Sequence, residues 1–159
     1  MNDVLKLEHL NSLLKKEQID YELLTDDFTV ETAASGAFYY GISLSETTPT
    51  LILKTKDGYV AAIICGNTRI SFKKLKQVLN CKDISMADPQ TILNITGAKI
   101  GEVSLINPGL PTLIDSNVLY NTHCYGGCGV PKTTLRINTQ DLIKVTNAQV
   151  VGFTEIRSE

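Results

Sequence analysis

Leu7, Leu10, Leu13 and Leu14 recur three and four positions apart behind Asn2 and Asp3, either of which can cap a helix. The spacing predicts a first helix that ends near Glu17. Ile19 to Leu24 reads as a strand. Thr29 can cap a short helix through Ala33 and Ala34, which Gly36 weakens early, and residues 41–48 form a polar Ser/Thr-rich loop. The clearest local pattern is a hairpin. Thr50 to Thr55 is one strand, Lys56-Asp57-Gly58 the turn, and Tyr59 to Cys65 the return, since Asp-Gly tolerates positive φ. Ser71 caps a helix with Phe72, Leu75, Val78 and Leu79 inward and Lys73, Lys74 and Lys76 outward.

Asp83 to Met86 reads as a strand. Asp88-Pro89 then places a cap and a proline at the first helical position, and Gly97 ends that helix after Ile92 and Ile95. Asn107-Pro108-Gly109 is a turn, and residues 111–115 form a strand ending on a carboxylate. Residues 126–129, Gly-Gly-Cys-Gly, read as a tight glycine loop. Thr133 to Ile137 is a strand, Asn138 caps a helix carrying Leu142, Ile143 and Val145, and Val150 to Phe153 closes the sheet. Strands and helices interleave irregularly, which predicts an α+β fold: a mixed sheet with helices packed on it. With 159 residues, no repeat and no linker, residues 1–159 are expected to form one domain.

Composition narrows the function classes. Hydrophobic residues are 43% and charged residues 20%, an ordinary globular balance. No apolar run approaches the roughly 20 residues that span a bilayer, and Met1 to Lys6 has no leader pattern, so the cytoplasm is the expected location. Lys plus Arg number 15 against 17 Asp plus Glu, a net charge of −2. Proteins that coat nucleic acid are usually basic, so long duplexes are not the expected partner, although a pocket could hold a few phosphates.

The usual catalytic sets are thin. His9 falls on the polar side of the first helix. His123 abuts Cys124, but neighbours in a strand point to opposite faces. Cys124 and Cys128 are spaced C-x₃-C, which fits neither zinc knuckles nor a C-x-x-C redox site, so no metal is expected. Lys54 stands out in an otherwise apolar strand. It is either on the solvent face of the pleat or points into a cleft, where its cation would suit a phosphate or carboxylate. The glycine loop is either a plain turn or a backbone surface whose N–H groups reach an anion or a carbonyl oxygen. The basic cluster Arg69, Lys73, Lys74, Lys76 and Lys82 is a solvated helix face, or a guide for an RNA stem.

Several pieces fall in one order: Lys54 after an apolar strand, Met86-Ala87-Asp88-Pro89, Thr96-Gly97, Gly101-Glu102-Val103-Ser104, Leu110 to Asp115, Gly126-Gly127, Leu135-Arg136-Ile137 and Asp141-Leu142. In that order and spacing the chain resembles the YbaK/ProX family, free-standing relatives of the editing domain of bacterial prolyl-tRNA synthetases, from about residue 29 to 154. The resemblance implies a curved, partly barrel-like mixed sheet with helices around it. It implies hydrolysis of the ester of a mischarged aminoacyl-tRNA, commonly alanine or cysteine on tRNA for proline. Lys54 would contact the phosphate near the terminal adenosine. Gly101 and Ser104 would shape the ester pocket. Gly126, Gly127 and Gly129 would supply backbone donors or clearance. The partners would be the aminoacyl-tRNA 3′ end and a synthetase, with no membrane, metal or organic cofactor. Leu105 stands where the family usually has proline, and Glu102 where a second glycine is common. Those departures and the acidic charge motivate a second reading, a non-catalytic module binding a tRNA end, a nucleotide or an amino-acid derivative. A thiol protein built on Cys124 and Cys128 is the third.

Overall fold

The structure, a computed structural model, describes residues 2–25 and 32–157. The first helix, α1 (Asp3–Lys16), begins at Asn2, whose side-chain oxygen accepts from the Leu5 N–H at 2.9 Å. Leu10 and Leu14 are its buried positions. β1 (Tyr21–Thr25) follows. α2 (Ala33–Tyr40) is capped by Thr32 in a reciprocal box with Ser35. The expected cap, Thr29, lies outside the described residues. Gly36 does not end this helix. It is buried inside it, and Gly41, at φ 66, ends it instead. The polar segment 41–48 holds a 3₁₀ turn, Leu44–Glu46, entered through a Ser43–Glu46 capping box.

The hairpin expected around Asp57-Gly58 forms, its return strand ending at Ile63 and not Cys65. β2 (Thr50–Thr55) pairs antiparallel with β3 (Gly58–Ile63), Thr55 facing Gly58 across a turn in which Gly58 takes φ 129. β4 (Thr68–Ile70), α3 (Phe72–Leu79), β5 (Ile84–Met86) and α4 (Pro89–Thr96) come next. The caps are those expected: Ser71 accepts from Lys74 N, and Asp88 from Thr91 N, with Pro89 in the first turn and Gly97 at φ 74 beyond the end. β6 (Thr112–Asp115), β7 (His123–Gly127), β8 (Thr133–Asn138), α5 (Thr139–Thr146), β9 (Gln149–Val151) and β10 (Thr154–Ile156) complete the order.

Among the described residues the strands form three sheets, and none closes into a barrel. A mixed five-stranded sheet runs β5-β2-β3-β6-β9, antiparallel through β3 and parallel beyond it. An antiparallel sheet runs β1-β8-β7, and β4 pairs with β10. The chain after β9 therefore does more than close a sheet: it turns back as β10. Asp115, 1% exposed, holds that corner by accepting from Phe153 N and Thr154 Oγ1, each at 2.8 Å.

Strand alternation decides which core each residue enters. Leu53, Ala62, Ile64 and Leu113 face α3 and Phe153. Ile52 and Ala61 face α4, meeting Ile92 and Val103. Ile63 and Ile114 meet α1, α5 and the β1-β8-β7 sheet through Leu14, Leu135, Ile137 and Leu142. Full burial of a side chain such as Leu53, 0% exposed, stabilises by about 2 kcal/mol. The face of the five-stranded sheet that carries α4 also bounds an apolar cleft. Helix α3, with its lysines, covers the opposite face. No helix among the described residues is long and apolar enough to cross a membrane.

Candidate functional site

Three walls enclose a cleft of about 310 Å³. The first is sheet: the start of β2, including Thr50 and Ile52, with Met86 from the end of β5. The second is bare backbone. Gly126 and Gly127, the last residues of β7, run beside residues 101–105, with Leu105 N–H donating to Gly127 O at 3.0 Å and Ser104 bridged to Gly127. The third comes from α2, where Gly36 and Tyr40 face the opening. The Tyr40 and Tyr125 rings lie 6.1 Å apart, tilted by 35°, and Arg136 Nε donates to the Tyr125 hydroxyl at 3.2 Å.

The glycine wall differs from the expected loop. Gly126 and Gly127 are strand residues, and of the run 126–129 only Gly129 has positive φ, at 92. Their smallness serves close approach. A Cβ on Gly126 would sit 2.7 Å from Leu105 Cγ and 2.8 Å from Thr48 O, and one on Gly127 would strike Val103 O. Leu105 is fully buried against Gly126. Its N–H makes the bond to Gly127, which a proline could not. The departure at position 105 thus keeps the wall and adds a hydrogen bond to it.

The six residues singled out from the sequence separate into three places. Gly101, Gly126 and Gly127 line the cleft together. Ser104 and Gly129 line a second hollow of about 410 Å³ behind that wall, against α1. There Ser104 Oγ accepts from Ile106 N at 3.0 Å. Lys54 is exposed and lines neither. It stands on the same face of β2 as Ile52, two residues or roughly 7 Å further along. Its neighbourhood includes Asp88, whose carboxyl is held below its ordinary value first by hydrogen bonds from Thr91 and least by the Lys54 ammonium. Sequence reasoning missed Lys132. This lysine lies in the turn before β8 at φ 56 and lines the cleft. A lone lysine in a turn carries no signal of that placement.

Among the described residues, no histidine or cysteine lines the cleft, and no three His, Cys, Asp or Glu side chains converge as a metal site. His123 faces Asp20, Nε2 to Oδ2 3.3 Å, while Cys124 points the other way and is fully buried. Burial raises the Cys124 thiol's pKa. The Cys65 thiol rises from 9.0 to about 11, through burial first, then the charges of Asp115 and Cys124. Neither is a thiolate nucleophile at neutral pH. The cleft instead offers hydroxyls and peptide groups. Thr50 Oγ1 is buried there with no hydrogen-bond partner among the described residues. The basic cluster is partly spent on structure: Arg69 Nε meets Glu155 at 2.8 Å and Lys74 Nζ donates to Thr154 O at 3.0 Å, on the face away from the cleft.

A cleft with a wall of glycine backbone, one unpartnered hydroxyl and, among the described residues, no histidine or cysteine suits a substrate already activated for attack by water. Solved structures share the fold. A hypothetical protein superposes with a TM-score of 0.85 at 26% identity, covering 92% of this chain and 99% of that one. A protein described as a candidate trans-editing enzyme for prolyl tRNA synthetase superposes at 0.84 with 19% identity, covering 98% and 99%. The proline–tRNA ligase of Caldicellulosiruptor bescii is 28% identical over 130 residues, 82% of this chain and 21% of the ligase. That of Thermosipho melanesiensis is 38% identical over 72 residues, 45% of this chain and 13% of the ligase. The chain thus spans about a fifth or less of these ligases. Residues 28–145 match the aminoacyl-tRNA editing domain, and the chain belongs to that family.

Proposed function

We propose that this chain acts in trans, in the cytoplasm, on tRNA for proline that carries a small wrong amino acid such as alanine or cysteine. The cleft holds the aminoacyl ester of the terminal adenosine against the Gly101 and Gly126-Gly127 wall. Water adds to the ester carbonyl carbon and the bond to the ribose oxygen breaks. That oxygen leaves with a proton relayed by the neighbouring ribose hydroxyl, giving free amino acid and intact tRNA. Peptide N–H groups and hydroxyls orient the carbonyl and the water, so no side-chain nucleophile enters. Ser104 and Gly129 support the wall from behind. Lys54, beyond the cleft on the Ile52 face, holds a phosphate next to the terminal adenosine. No cofactor is needed, and a synthetase is the natural source of the mischarged substrate.

The observation that carries this reading is an apolar cleft with one wall of bare backbone at residues 101 and 126–127. The test is release of free amino acid from alanyl-, cysteinyl-, seryl- and prolyl-tRNA for proline. The alanyl or cysteinyl ester should be hydrolysed and the prolyl ester spared. Lys54→Ala should lose most of the activity, on the order of 100-fold, with an unchanged melting temperature. Wild-type rates from that variant would remove Lys54 from the site.

A further inference from the structure

Only two charged side chains line the cleft among the described residues, and they have opposite signs: Glu102 and Lys132. Glu102 is half-buried and Lys132 exposed. They form no ion pair with each other. The Glu102 carboxylate has no hydrogen-bond partner among the described residues; only its backbone is engaged, its carbonyl accepting from Gly129 N at 3.0 Å and its N–H donating to Lys99 O at 2.9 Å. These two hydrogen bonds hold the Glu102 backbone at a set point of the wall, one residue from Gly101. An unpaired carboxylate in an otherwise apolar cleft is stabilised by a cation from the ligand.

An aminoacyl ester on tRNA carries one such cation, the α-ammonium, close to the scissile bond. Its phosphodiesters carry the opposite charge. We propose that Glu102 reads the free α-ammonium of the substrate, while Lys132 receives a phosphate of the 3′ end. The inference rests on the editing reading and adds the determinant it lacks. It makes the domain selective for free aminoacyl groups against N-acylated ones, in which the amine is neutral. Glu102 binds the substrate and takes no part in bond breaking. It therefore acts on affinity and not on the rate of the bound ester.

The experiment uses a non-hydrolysable probe, adenosine bearing alanine in amide linkage at the 3′ position, and its N-acetyl counterpart. The wild-type protein should bind the free-amine probe about tenfold more tightly than the acetylated one, the effect of one partly desolvated ion pair. Glu102→Gln should bring the two affinities together by weakening only the free-amine probe, and Glu102→Asp should restore part of the difference. The wild-type preference should fade as pH rises through the α-amino range near 8, and Glu102→Gln should show no such dependence. Equal affinity of the wild type for both probes, or a preference that survives Glu102→Gln, overturns the proposal. Selective binding without hydrolysis of alanyl-tRNA would instead overturn the editing reading and leave the role of Glu102 standing.

Discussion

Gly126 shows what one hydrogen atom in place of a methyl group does here. A Cβ on Gly126 would meet both Leu105 and Thr48 O, so Gly126→Ala would push the wall off both neighbours at once. One of these neighbours is main chain and cannot rotate away. The variant should lose about 2 kcal/mol of unfolding free energy, read from denaturant midpoints, and its deacylase activity with it. Gly101→Ala is the contrast. Nothing lies within 4 Å of a Cβ there, and only the φ of 88 opposes it, a penalty of about 1 kcal/mol. Cys65 supplies a pH effect of defined sign. Its folded pKa is raised from 9.0 to about 11, so its contribution to stability is complete below pH 9 and is lost as pH rises towards 11. Melting curves across that range should fall more steeply for the wild type than for Cys65→Ala, because the alanine has no proton to give up.

At the scale of elements, helix α1 lies outside the residues that match the editing family, yet it reaches the backbone wall of the cleft. Lys6 Nζ donates to Gly97 O at 2.6 Å and to Gly129 O at 3.2 Å. One carbonyl ends α4 just before the segment that carries Gly101. The other follows β7 just after Gly127, and Gly129 N–H in turn donates to Glu102 O. The ammonium thus joins both ends of the backbone wall. Lys6→Met should lower stability by about 1 kcal/mol, since both bonds are partly exposed to water, and should speed amide exchange at residues 97–105. Unchanged exchange there would leave α1 as a cover for the core alone. The helices themselves were legible because capping is local chemistry: Asn2, Ser71, Asp88 and Asn138 each bond a backbone N–H within three residues. Gly36 was misread because helix propensity weighs the missing side chain as a defect, whereas burial beside the cleft makes that absence useful.

For the whole molecule, the hairpin and the mixed α+β class followed from local pattern, whereas the structure placed Ile52 and Leu53 in different cores. What lay beyond reach was anything set by contacts between distant segments. The sequence places Gly126 and Gly127 in a tight glycine loop. Only their pairing with β8 and their packing on residues 102–105 makes them a strand and a wall. Ser104 and Gly129 share motifs with cleft residues but line the hollow behind the wall, a placement set by how residues 101–105 pack on β7. Lys132 enters the cleft through a turn that no spacing announces. Periodicity and capping are properties of neighbours in the chain and can be read from it directly. Which side of a wall a side chain occupies depends on segments distant in the chain, such as β7 against residues 101–105, and that was decided only when the chain folded.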